Sequence, residues 1–312
     1  MQDTLKNAEN TPTLIRPFQN ADAEAVARLV TDSVRGHWVY LPERFKESTD
    51  PNRRRLVALQ NSEIMAIAHL SPFGQGAPDA LRLDLAGDGN LFTPLFLALL
   101  AELPAGFTRL LGVTREDFTE QMHFFHAAGF RNAWQSWGAH LDLTGFDFER
   151  FRALDEQLFL EGYEVQQWSN AASETEWNAL YQLHQQGERD APRNPTTTPE
   201  HHELPEFQRM IQREETVFIV RQKGAIVALT RLTRQENEVE SELTVTHPAH
   251  RSKGLATLLK AHALAWAREN GFTHAGTGGT VLNLPMLRVN TRLGYVTEQM
   301  WVTWERKLTD AK

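Results

Sequence analysis

Cysteine is absent from all 312 residues. That excludes, in one step, a disulfide framework, a thiol nucleophile and a cysteine-ligated zinc ion. No stretch approaches the ~18 consecutive apolar residues that a membrane span requires. The polar opening MQDTLKNAENTPT has no apolar core region of the kind a secretion signal carries. A soluble, cytoplasmic protein with no membrane partner is therefore expected. Positive charge is in deficit, with 32 Lys and Arg against 40 Asp and Glu and a net charge of −8. Phosphate-backbone affinity needs clustered cations, so general nucleic-acid binding is not expected. The pattern Gly-x-x-x-x-Gly-Lys-Ser/Thr is also missing, which argues against a P-loop nucleotide hydrolase. What remains is an ordinary globular composition, 41% hydrophobic and 23% charged, at a length that favours two domains over one core.

The most informative stretch is His247 to Asn270. It follows an alternating run, Val239 to Thr246, that reads as a strand. It opens a segment with apolar residues at Leu255, Leu258, Leu259 and Trp266, the spacing of one helix face. Between them lies a turn carrying Arg251, Lys253, Gly254 and Ala256. A helix start presents free backbone N–H groups and the positive end of a dipole, and the two cations add charge. Gly254 permits close backbone approach and Ala256 keeps the first turn uncrowded. The product is an anion cradle suited to phosphate.

Arg251-Ser252-Lys253-Gly254-Leu255-Ala256, preceded by His247-Pro248, resembles the pyrophosphate loop Arg/Gln-x-x-Gly-x-Gly/Ala of the GCN5-related N-acetyltransferase (GNAT) superfamily. A second family element follows at the expected separation, from Asn283 to Tyr295. The resemblance implies an α/β (α+β) fold with a mixed, mostly antiparallel sheet flanked by helices. It also implies acetyl-CoA as co-substrate, transfer to a small-molecule or peptide amine, and no metal. His201-His202-Glu203 does not alter this, because adjacent histidines on a loop do not converge as ligands.

Element order repeats along the chain. A short strand, a helix, a hairpin, a strand, a helix, a strand and a further helix are expected from Thr13 to Ala128, and again from Glu164 to Leu293. Phe124 to Phe130 parallels Val289 to Tyr295, and thirteen residues separate Phe130 from Leu143 and Tyr295 from Leu308 alike. An internal duplication is read: a loose tail at 1–12, a GNAT-like domain at 13–145, a linker at 146–162 and a second such domain at 163–312. Tandem members of the superfamily, the mycothiol-synthase-like type among them, share this plan. The first copy offers only Gly87-Asp88-Gly89-Asn90 where the second has its basic loop. Asp88 would repel a pyrophosphate, so the cofactor is expected in the second copy alone. The first would complete a substrate cleft or mimic a dimer partner, in a monomer of pseudo-dimeric domains or in a homodimer.

In the family, the cofactor's pantetheine arm pairs with backbone of the strand before the loop, which here means Leu243 through Val245. The arm lies in the gap between that strand and the next. Gly276-Thr-Gly-Gly279 is small enough to let it pass, or is simply a flexible turn. Asn283 suits a helix N-cap, with Pro285 in the first turn, and in relatives an Asn hereabouts also bonds the cofactor. Asn290 stands where many members carry a Tyr acid; an amide would hold the cofactor and cannot donate a proton. For the base, Glu240 aligns with the family's catalytic glutamate and Glu242, two residues on, projects from the same strand face, or both are simply solvent-facing strand residues. An acyl-CoA-binding sensor without chemistry stands as the rival to a transferase. The tract Arg189 to Pro199 is read as an acceptor-binding wall or a surface connector.

Overall fold

The computed structural model describes residues 12–46, 48–192, 194 and 202–308. The expected tail apart from Pro12, His201 and most of the tract ending at Pro199 lie outside these residues. In chain order the elements are β1 (Leu14–Pro17), α1 (Ala23–Ser33), β2 (Arg54–Gln60), β3 (Glu63–Pro72), β4 (Ala80–Gly87), α2 (Phe92–Ala101), β5 (Arg109–Arg115), α3 (Thr119–Ala127) and β6 (Arg131–Asp142). Then come α4 (Arg152–Leu160), β7 (Tyr163–Gln167), α5 (Glu174–Asp190), α6 (Leu204–Glu214), β8 (Glu215–Gln222), β9 (Ala225–Gln235) and β10 (Glu238–Thr246). The chain ends with α7 (Leu255–Glu269), β11 (His274–Thr280), α8 (Leu284–Leu293), β12 (Val296–Thr297) and β13 (Trp301–Lys307).

Two compact units divide these elements, and their limits differ from the expected domain ranges. One comprises residues 1–135 with 301–312, the other residues 136–300. The first unit's sheet runs β1-β2-β3-β4-β5-β13 and the second's runs β6-β11-β10-β9-β8-β7. Thus the chain's last strand pairs with β5 in the first unit, Trp301 opposite Arg115 through Lys307 opposite Arg109. Residues Ser136 to Asp142 of β6 pair with β11 in the second. The stretch expected as a linker is built into the second unit's core, where Phe146, Phe151 and Leu158 are buried.

Each sheet is mostly antiparallel, with one parallel pair in the middle. In the first unit the pair is β4 and β5, joined only from Ala80–Arg82 to Arg109–Leu111. In the second it is β10 and β11, joined only from Glu238–Ser241 to His274–Thr277. Tight turns form the hairpins as the sequence implies: Asn61-Ser62 and Lys223-Gly224 all take positive φ. Helices supply the cores. In the first unit Phe92, Leu95, Phe96 and Leu99 of α2 meet Phe124, Phe125, Phe130 and Trp304. Each such side chain contributes roughly 2 kcal/mol through area removed from water. In the second, α7 is buried nearly all round, with Leu255, Leu258, Leu259, Ala261, Ala263, Leu264 and Ala267 inside. On the other face, α5 and α6 press Trp177, Leu180, Tyr181 and Phe207 against Val217, Ile219 and Leu229.

Candidate active site

The candidate site lies in the second unit, where β10 and β11 part. Their pairing ends at Ser241 and Thr277; beyond it β10 stays with β9 and β11 stays with β6. From Leu243 to Thr246 the edge of β10 away from β9 therefore has no strand partner. A bulge between Ser241 and Leu243 accompanies the split. One extra residue inverts the side-chain alternation. Before the bulge, Val239 joins the core under α7 and Ser241 meets a side chain of α7. After it, Leu243 and Val245 pack into the α5/α6 cluster. Equal spacing no longer means an equal face, and the two glutamates fare differently: Glu240 is half-buried and Glu242 exposed.

Burial, reinforced by Glu242, raises the Glu240 carboxyl to about 7, against the opposing pull of Lys260. Room for the carboxylate comes from Gly276, its register partner on β11. A Cβ there would lie 1.9 Å from Glu240 Oε2, and one on Gly279 would lie 2.8 Å from Trp137. The glycines of Gly276 to Gly279 thus belong to β11 itself; a side chain is laid across Gly276 and Gly279, and the Trp137 carbonyl lies beside Gly278. They form neither a turn nor an unfilled passage.

Beyond β10 the chain makes a short 3-10 turn, Pro248–His250, and enters α7 through a left-handed Ser252 (φ 64°) and Gly254 (φ 92°). Gly is suited to the second position because φ > 0 is costly for other residues. The Leu258 amide closes onto the Gly254 carbonyl. The amides of Ser252, Lys253, Gly254, Leu255 and Ala256 have no acceptor among the described residues. Leu255 itself is a core residue and Ala256 sits half-buried on the first turn. Arg251 does not stand bare: its Nε donates to the Thr246 carbonyl at 3.0 Å and its guanidinium pairs with Asp190 of α5. Lys253 is 4.0 Å from Glu161, and its ammonium lies over the Tyr163 ring. Arg251 therefore braces the loop as well as charging it.

Asn283 caps α8, its Oδ1 accepting from the Met286 amide at 3.3 Å. Asn290, on the same helix, is 1% exposed and neither atom of its amide has a partner among the described residues. Such a group costs free energy until something bonds it. Three residues that sequence reasoning passed over gather nearby. Lys260 of α7 is 2% exposed and donates to Ser241 Oγ at 2.8 Å. Burial pushes its ammonium down to about 7, and Glu240 resists that shift. Its Nζ lies 5.3 Å from the Tyr295 ring centroid. The Tyr295 hydroxyl is buried without a partner among the described residues, and burial lifts it well above the usual phenol range. Lysine is seldom buried, so only the apolar girth of α7 could have flagged Lys260.

Splayed parallel strands, a bulge beside the split and an amide-rich turn into a helix define an acetyltransferase fold. Residues 177–295 match the Acetyltransferase (GNAT) family, and a GNAT domain occupies that stretch. No curated protein matches in sequence. Among solved structures, a GCN5-related N-acetyltransferase from Sphaerobacter thermophilus aligns at TM-score 0.58 and 14% identity, covering 95% of both chains. A tandem GNAT protein from the clavulanic acid biosynthesis pathway aligns at TM-score 0.54 and 18% identity, covering 95% of this chain and 98% of that one. These likenesses show the fold. No group of metal-binding side chains occurs among the described residues.

Proposed function

We propose that the second unit transfers an acetyl group from acetyl-CoA to a primary amine, directly, within a ternary complex. The observation that carries this is the divergence of β10 and β11, with half-buried Glu240 where pairing ends and acceptor-free amides beyond the strand's far end. The residues suit the cofactor. Amides from Ser252 to Ala256, with Arg251 and Lys253, match a pyrophosphate. The unpaired edge from Leu243 through Val245 matches an amide-bearing arm. Asn290 offers a donor and an acceptor that have no partner among the described residues. Bound acetyl-CoA supplies a thioester acyl group, electrophilic at its carbonyl carbon.

Glu240 accepts the amine's proton, directly or through water. With its carboxyl near 7 it is about half ionised at neutral pH and still basic enough to serve. Turnover should then rise with pH through about 7. Backbone N–H groups on the open edge of β10 polarise the carbonyl. Asn290 has no titratable proton, so it orients and does not act as an acid. The test is a panel of small amines and peptide amino termini with acetyl-CoA, read by thiol release alongside calorimetric binding. Turnover on at least one amine, with one coenzyme A per chain, is expected. Binding without turnover on any amine would favour a sensor, and failure to bind acetyl-CoA would sink both readings.

A further inference from the structure

The first unit has a cavity of about 470 Å³ where β4 and β5 part, lined by Arg82 to Ala86 on one strand and Val113 and Thr114 on the other. That volume falls within the range of small-molecule sites. Trp38, Tyr40, Phe45, Phe118 and Trp301 supply an aromatic wall. Its charge is lopsided. Among the described residues, Arg44, Arg53, Arg55 and Arg82 line it with a single carboxylate, Asp84, and that carboxylate already pairs with Arg82. His69, also in the lining, is half-buried, and this together with the neighbouring arginines lowers it to about 3, so it is neutral and adds no charge.

Arg53 and Arg55 are not salt-bridged among the described residues, and each has a buried Nε without a partner. The guanidinium of Arg55 donates to the Phe45 and Lys46 carbonyls, which orients it without neutralising it. Burial, and then the charge on Arg53, depress Arg55 below its ordinary value. Two like charges held together under an aromatic wall repel each other, and the Nε of each has no acceptor among the described residues. A guanidinium fork is geometrically matched to carboxylate and phosphate oxygens.

We propose that this cavity is a binding site for a small organic oxyanion, a carboxylate or phosphate monoester carrying an apolar body, held by Arg53 and Arg55 with its body against the aromatic wall. It is not a second cofactor site. The amides after β4 that would cradle a pyrophosphate are already bonded, Asn90 N to Asp88 and Gly89 N to Glu120. The proposal stands whether or not the second unit proves to be a transferase.

The test uses the full chain, with phenyl phosphate, phenylacetate and uncharged benzyl alcohol as probes, followed by calorimetry and saturation-transfer NMR. Saturable binding of phenyl phosphate or phenylacetate, and not of benzyl alcohol, is expected. Which oxyanion binds more tightly distinguishes phosphate from carboxylate recognition. The Arg53 side chain makes no hydrogen bond among the described residues, and Arg53→Met should weaken binding about 10- to 100-fold. Its thermal midpoint and its acetyl-CoA binding serve as controls for folding. Should Arg53→Met unfold, Arg53→Lys with retained charge and lost fork should still weaken the preferred probe severalfold. No saturable binding of either anion below about 10 mM, unchanged affinity in a folded Arg53 variant, or displacement of the probe by acetyl-CoA would each overturn the proposal.

Discussion

The two units share a strand order and differ at nearly every position where chemistry would sit. Arg82 pairs with Leu111 in the register that joins Glu240 to Gly276, so an arginine replaces the candidate base. Where Gly276 makes room for a carboxylate, the first unit has a buried leucine. Asn290 corresponds to Phe125, which fills the space over Gly112 and stacks on Trp304 with ring centroids 6.0 Å apart. Tyr295, with its unpartnered hydroxyl, corresponds to Phe130. The amides left free after β10 are capped after β4 by Asp88 and Glu120. At these positions the first unit has apolar packing and self-capping, and unpartnered groups of its own, those of Arg53, Arg55 and His69 among them, lie elsewhere. The second keeps unsatisfied polar groups there, and such groups in a native fold are retained at a cost that binding or catalysis repays.

The comparison breaks most readily at Glu240. Glu240→Gln should lower turnover by ~10² to 10⁴ while leaving coenzyme A affinity nearly intact. It should also remove the rise of kcat/KM with pH through about 7. Wild-type turnover in that variant on every accepted amine would rule Glu240 out as the base. Next in size is Gly254→Glu, which places a carboxylate in the cradle much as Asp88 sits in the first unit. Coenzyme A affinity should fall by ~10² or more, given about 4 kcal/mol of like-charge repulsion at ~4 Å before screening. Calorimetry on the wild type should give one site per chain, and two would erase the contrast between the units.

Lys260 sharpens the contrast through stability. Its folded-state value near 7 lies below its ordinary 10.5, so the unfolded chain binds the proton more tightly. Stability should therefore rise with pH between about 7 and 10.5, on the order of 2–4 kcal/mol after allowance for Glu240. Lys260→Met should flatten that rise in denaturant titrations, and a slope equal to wild type would show the ammonium to be well solvated. A smaller effect, on turnover, is expected of Gly276→Ala. A Cβ 1.9 Å from Oε2 must move the carboxylate, and a displaced base should slow turnover about tenfold with coenzyme A affinity unchanged.

Local features of this fold could be read from sequence because their causes are local. The turn at Gly254, the stop at Gly129, the hairpin at Lys223-Gly224 and the cap at Asn283 each follow from one residue's conformational or bonding preference. The exchange of last strands could not. Trp301 to Lys307 and Ser136 to Asp142 each lie in a Trp-containing tract after a Gly-aromatic pair, and which sheet each joins depends on pairing between segments distant in sequence. The bulge at Ser241 and Leu243 was likewise hidden, since nothing in Glu-Ser-Glu-Leu announces an extra residue, and with it went the expectation that two glutamates share a face. Helix α4 was taken for linker because its exposed Phe159 and Leu160 blur the apolar stripe that Phe151 and Leu158 mark. In α6, whose residues the sequence does not single out, the buried Phe207 and Ile211 are spaced as a helix requires, but Pro205 at the start reads as a breaker unless it is recognised as a first-turn residue.

The finest distinction concerns Asn283 and its counterpart Phe118, which begins α3 without any side-chain cap. If the asparagine serves only the helix, Asn283→Ala should cost about 1 kcal/mol of unfolding free energy. Asn283→Asp should restore it, because a carboxylate oxygen accepts from the Met286 amide equally well and suits the helix dipole. A cofactor bond made by the side-chain NH2 would respond differently, since both substitutions remove that donor. The expected outcome is the cap alone: stability lost in Asn283→Ala and recovered in Asn283→Asp, with coenzyme A affinity within about twofold of wild type in both. Parallel losses of affinity in the two variants, whatever their stability, would place the donor on the cofactor. They would also make Asn283 a further point at which the second unit keeps polarity for a ligand where the first has a phenyl ring.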